Sequence, residues 1–205
     1  MVTKDLLTGS SESTDHAATA TENPDNQKEV RELKMEMVQM NGYNEVTLDA
    51  LPDTAEEFAA LAEGTLSTPE YTGALFLCAI KLFAENKDAG VEALRILKGP
   101  VEVSNYDINW YSDRLRDKKY LYKVYFEGST PENSYTPNEP FAVRFYPNPR
   151  PQDLEEGFIK LGFQAPAFDS PRYFTLRQKG DEWFIWEISS VMLGVRTPAN
   201  EDPWK

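Results

Sequence analysis

The sequence predicts an α+β fold, with N-terminal helices packed on a C-terminal antiparallel β-sheet of about four to five strands. Three observations carry this expectation. Apolar residues recur at helical spacing from residue 53 to about residue 115. After about residue 119 they are mostly aromatic or β-branched and partly alternate, as strands do. The chain has 205 residues, 40% of them hydrophobic and 27% charged, which is enough apolar material for one core and excludes wholesale disorder.

Residues 8–27 are mostly Ser, Thr, Ala, Asn and acidic residues with almost nothing to bury, and 1–27 is expected to form a disordered tail or linker. In residues 28–41, Val30, Leu33, Met37 and Met40 make one apolar stripe, which predicts a short amphipathic helix ended by Asn41-Gly42. A single α+β domain is expected over 45–205. It starts with a possible short strand, EVTLDALP, closed by Pro52.

Asp53 or Thr54 can cap TAEEFAALAEG, with Glu56 and Glu57 in its first turn and Gly64 as its stop. Ser67 and Glu70 have capping-box spacing before EYTGALFLCAIKLFAEN, whose apolar residues point nearly all round, so this helix should be the most buried. KDAGVEALRILKGP places Val91, Leu94 and Leu97 on one side and stops at Gly99-Pro100. A fourth helix is expected from Ser104, with Asp107 three residues on. YLYKVYFEG, FAVRFYPNP, EGFIKLGFQAP, RYFTLRQKG and EWFIWEISSVM then read as strands, the last two joined by a hairpin turn at 179–182. Pairing of Arg177 with Glu187 across that hairpin is expected.

The composition excludes several chemistries. The formal charge is −13, opposite to what phosphate backbones or anionic lipid require, so neither a nucleic-acid partner nor a membrane is expected. The run Arg114 to Lys119, with Trp110, Tyr111 and Tyr120 nearby, reads better as a basic helix end. One Cys excludes an intrachain disulfide and any multi-thiolate zinc site. Cys78 lies in the most apolar helix, where burial raises a thiol pKa, and His16 lies in the low-complexity tail. No glycine-rich phosphate loop and no calcium loop occurs, so no catalytic residue, cofactor or metal is expected. Glu56-Glu57, Glu155-Glu156 and Glu201-Asp202 read as solvated surface. With no basic leader, no long apolar run and a lone Cys, a cytoplasmic location is expected.

The least routine segment is EGSTPENSYTPNEP (127–140), a long, proline-restrained connection. Glu132, Asn133, Tyr135 and Asn138 are its candidate contacts for a ligand or partner, beside Arg172 and Arg177 in the sheet; an ordered Ω-type loop is the structural alternative. YFEGSTPENSYTPNEPFAVRFY, SPRYFTLRQKGDEWFIWE and PANEDPW together resemble a bacterial family known as domain of unknown function 6935, over roughly residues 50–205 and most strongly from 121 onward. That resemblance implies no activity and no catalytic residues. The C-terminal hairpin is also similar, more weakly, to cystatin-like folds of the nuclear-transport-factor-like group, in which a curved sheet wraps helices.

The expected function is a non-catalytic binding or interaction module with a protein, small-molecule or carbohydrate-like partner. The alternative is a small-molecule-binding protein or His-independent acid–base enzyme of cystatin-like type, in which a buried carboxyl of raised pKa works within an aromatic cavity. Acidity alone suggests a third idea, a toxin-neutralising protein.

Overall fold

The structure, a computed structural model, describes residues 30–204. The expected tail at 1–27 and His16 lie outside the described residues. The elements run β1 (Met35–Gln39), β2 (Asn44–Leu48), α1 (Ala55–Ala62), α2 (Pro69–Glu85), α3 (Lys87–Lys98), α4 (Asn105–Leu115), β3 (Phe141–Pro147), β4 (Phe158–Phe163), β5 (Arg172–Lys179) and β6 (Glu182–Glu187).

The strands form one antiparallel sheet in the order β1-β2-β3-β4-β5-β6, six strands where about four to five were expected. One extra strand comes from residues expected to be helical. In place of the helix over 28–41, Met35–Gln39 is β1, paired with β2. The apolar spacing that suits a helix also leaves Met35 and Met37 alternating with Glu36. A helix this short has little stability of its own, so strand pairing decides the outcome. Asn41-Gly42 turns a hairpin, with Gly42 at φ 92, and does not end a helix.

The four helices expected between residues 53 and 115 do form. Thr54 caps α1 by accepting from the Glu57 N–H at 3.2 Å, and Ser104 and Asp107 form a reciprocal capping box on α4. The box expected from Ser67 and Glu70 does not form. Thr68 is the N-cap and Pro69 the first helical residue, while Glu70 accepts from Asn44 Nδ2 at 2.6 Å. YLYKVYFEG departs from expectation as well. Leu121–Tyr125 is a 3-10 turn whose Leu121, Tyr122, Val124 and Tyr125 are all buried, so packing on every side overrides the residues' strand preference.

The core lies between α2 and the inner face of the sheet. Val46, Leu48, Val143, Phe145, Phe163, Phe174 and Leu176 point inward and are buried, and Phe163 stacks on Phe174 at 5.0 Å. α2 presses directly on this face. A Cβ at Gly73 would lie 2.5 Å from the Phe145 ring and 2.7 Å from the Phe174 ring. Helices and sheet are thus in van der Waals contact.

Candidate functional site

Sheet register creates the site. β2 pairs with β3 along Phe141–Phe145, but β4 meets β3 only at Tyr146 and Pro147, opposite Gly162 and Leu161. Continuing that ladder would set Arg144 against Gln164. Instead Phe126 bridges to Val143, and the Glu127 N–H donates to Ala142 O at 2.8 Å. The 126–127 segment takes the place beside β3 that β4 would have filled, so the two strands part. Between them opens a cleft of about 600 Å³, lined by Glu127, Arg144, Tyr146, Gln164 and the 165–171 connection with Phe168, Asp169 and Ser170. That volume lies within the range of small-ligand sites.

Alternation places Arg144 and Tyr146 on the face opposite the buried Val143 and Phe145. Arg144 Nε donates to Glu45 Oε2 at 2.8 Å, directly across the ladder. Arg144 Nη1 lies 2.9 Å from Glu127 Oε2. The guanidinium sits 5.1 Å above the Tyr43 ring, which in turn packs 5.5 Å from Tyr146. One cation is therefore fixed by two carboxylates and a ring. Burial pushes the Glu127 carboxyl above its ordinary range, with Arg144 pulling it back and Glu45 adding to the rise. Burial also raises Tyr146. Across the cleft Asp169 is engaged by Arg196.

The residues expected from sequence serve mostly to build this region. Asn133 folds the 127–140 loop on itself. Its Nδ2 donates to Gly128 O at 2.8 Å and Thr136 O at 3.0 Å, while its Oδ1 accepts from the Thr130 and Thr136 N–H groups. Tyr135 is buried, stacks on Tyr120 at 5.3 Å and donates its hydroxyl to Arg196 O at 2.8 Å. The Ala199 N–H donates to Pro131 O, and Ser134 Oγ lies 2.9 Å from Asn200 Oδ1. The loop is thus a clamp on the C-terminal segment, the ordered alternative of the sequence reading. Glu132 is exposed on its surface. Asn138 is also exposed; its side chain covers Gly128, which has φ 85 and no room for a Cβ.

Arg172 sits over Phe168 at 4.9 Å and donates to Ser170 Oγ at 3.2 Å, bracing one wall of the cleft. Its Nε is buried with no hydrogen-bond partner among the described residues. Arg177 does not pair with Glu187. A register shift at Thr175/Leu176 puts Glu187 opposite Thr175, where it accepts from the Ser189 N–H, while Arg177 lies over the rings of Phe158 and Trp186 at 5.3 and 4.7 Å.

The candidate set therefore divides: Arg172 touches Phe168 and Ser170 of the cleft wall, Asn133 and Tyr135 hold the loop and the C-terminal segment, and Arg177 is elsewhere. The reading missed Glu45, Arg144 and Tyr146. A signal for the last two was present, since FAVRFYP alternates with Arg144 and Tyr146 on one parity.

Residues 50–199 match the family described as a domain of unknown function, DUF6935. The chain belongs to that family. No curated protein and no solved structure is significantly similar to it. The matched span contains Glu127, Arg144, Tyr146 and the whole 127–140 clamp, but β1, β2 and Glu45 lie before it. Arg144's second carboxylate partner thus comes from outside the family match.

Cys78 is fully buried in α2, and burial pushes its thiol up to about 12, well away from nucleophilic use. No group of three or more His, Cys, Asp and Glu placed to hold a metal occurs among the described residues, and no described helix is long and apolar enough to cross a membrane.

Proposed function

We propose that this protein is a non-catalytic binding module whose ligand is small and polar, of carbohydrate type, held in the cleft between β3 and the 164–171 connection. The observation that carries this reading is Arg144, fixed in place by Glu45, Glu127 and Tyr43 at the edge of about 600 Å³ of open space. A side chain already held in one rotamer loses little entropy on binding, which favours affinity in a small site. Glu127, Gln164, Asp169 and Ser170 supply donors and acceptors of the kind that hydroxyl groups satisfy, and the Tyr146 and Phe168 rings supply apolar surface for the carbon face of a sugar ring.

The enzyme alternative has less support. A cystatin-like acid–base site needs an aromatic cavity under the sheet, and here α2 fills that face down to contact at Gly73. The cystatin-like analogy concerns fold alone and stays part of the proposal. The interaction module and its cytoplasmic setting stay part of the proposal.

Saturation-transfer NMR with a panel of mono- and disaccharides tests the reading. Wild-type protein should give transfer to at least one sugar, and Arg144→Met and Glu127→Gln should each abolish it with the fold intact by circular dichroism. No transfer across the panel, or transfer that survives both substitutions, would remove the assignment.

A further inference from the structure

A second cavity, about 360 Å³, shares no lining residue with the β3 cleft and lies where the end of α3 meets the β5–β6 hairpin. Its lining includes Lys98, Val101, Arg177, Lys179, Phe184 and Trp186, and no carboxylate among the described residues. In a chain of charge −13 this is a local inversion of sign. A neighbouring hollow of about 210 Å³ shares Lys98, Ile185 and Trp186 with it and continues past Tyr106 and Trp110; its two carboxylates are engaged, Asp107 by Lys98 and Glu187 by the Ser189 N–H. The two form one trough along β6.

Apolar surface stands open along the rim: Val101 is 45% exposed, Trp186 51% and Tyr106 78%. Such exposure of large side chains in one place marks an interaction surface. The cations divide into spent and unspent. Lys98 is used by Asp107 at 2.8 Å. Arg177 is positioned by the Phe158 and Trp186 rings, with no carboxylate taking up its charge among the described residues. Lys179 is exposed and makes no ion pair among the described residues. β6 is the last strand of the sheet. Its outer edge is tied at Trp183, whose N–H donates to Leu66 O at 2.8 Å and whose carbonyl accepts from Thr72 Oγ1 at 3.2 Å; past that point no strand lies beside it among the described residues.

We propose that this trough docks an extended acidic segment of a partner protein, with its carboxylates on Arg177 and Lys179 and an apolar side chain against Trp186 and Val101. Charge complementarity decides the occupant. A basic segment would meet two unspent cations, and a wholly apolar one would leave them buried without partners. The length of the trough along a terminal strand suits an extended chain. This surface is separate from the β3 cleft and does not depend on it.

Fluorescence anisotropy with two labelled decapeptides provides the test, one alternating Glu and Val around a central Phe, the other with Lys for Glu. The acidic peptide should bind roughly tenfold or more tighter than the basic one. Arg177→Glu with Lys179→Glu should weaken it by about tenfold or more, and Trp186→Ala by about fivefold. All three side chains are exposed, so unchanged thermal unfolding should confirm that the fold is intact. Equal affinity for both peptides, no binding of the acidic one, or indifference to the double charge reversal would each overturn the proposal.

Discussion

Two regions of this protein use the same device, an arginine between two carboxylates, to opposite ends. Next to α1, Arg31 bonds Glu57 through Nε and Nη2, both at 2.7 Å, and Asp53 at 2.9 Å. Lys81 completes the cluster through Pro52 O, Asp53 and Glu85. Beside β3, Arg144 holds Glu45 and Glu127. Around Glu57, which is 5% exposed, the bonding groups are consumed by the chain itself and its carboxyl is lowered to about 2, chiefly by its bond to Arg31. Burial opposes the charge on Lys81, yet its bonds to Asp53 and Glu85 still hold it above its ordinary value. Around Glu127 open space adjoins the carboxylate and the shift is upward. The lesson is that ion-pair chemistry does not mark a site; unfilled volume beside it does.

The comparison can be broken most forcefully in the helical layer. A Cβ on Gly90 would lie 2.2 Å from Phe83 Cα, a backbone atom that cannot step aside. Gly90→Ala should therefore cost about 3 kcal/mol in urea unfolding. A change near zero would show that α2 and α3 are not locked together as described.

Glu57→Gln comes next, at about 2 kcal/mol at pH 7, since it weakens hydrogen bonds to a charged partner. Its pH dependence sharpens the contrast. Glu57 titrates lower in the folded state than its ordinary value near 4.5, so its contribution is complete above that value and fades as pH falls towards about 2. The gap in melting temperature between wild type and variant should close over that interval. A gap that stays constant would mean that the carboxylate charge is not what Arg31 recognises.

Tyr135→Phe removes one hydroxyl bond to Arg196 O and should cost about 1 kcal/mol. Amide exchange should speed up in residues 196–201 while sugar binding in the cleft persists. Loss of sugar binding alone would return the 127–140 loop to the ligand-contacting role that the sequence suggested.

Glu127→Gln should have the smallest effect on stability, within about 0.5 kcal/mol at pH 7, because relief of a desolvated charge offsets the weakened pairing with Arg144. Its pH trend should run opposite to that of Glu57→Gln. A raised carboxyl favours the protonated folded state, so wild type gains on the variant as pH falls and loses that gain as pH rises through the folded value. Matching trends in the two variants would erase the distinction between the regions.

Much of the helical half was legible because caps and stops are local chemistry: Thr54, the Ser104–Asp107 box and Gly99 act within a few residues. The two misread elements, β1 and the turn at 121–125, are short. Their form is settled by pairing and packing outside the element itself, β2 for one and the surrounding core for the other. The site was legible only in its scaffold. Asn133 and Tyr135 stood out because polar and aromatic residues in a long loop attract notice, yet their groups are spent on the loop itself and on the C-terminal segment. Arg144 sat in an ordinary strand. Its importance arises from Phe126 displacing β4, a contact between residues 17 apart in sequence that no local pattern encodes.

The most direct test of the account is backbone amide NMR during titration with a sugar found by saturation transfer. Shift changes should concentrate at Glu127, Arg144, Tyr146, Gln164 and Ser170, leaving the Arg31–Glu57 region still. Changes confined to the 130–136 loop, or spread evenly over the molecule, would contradict the β3 cleft as the binding site.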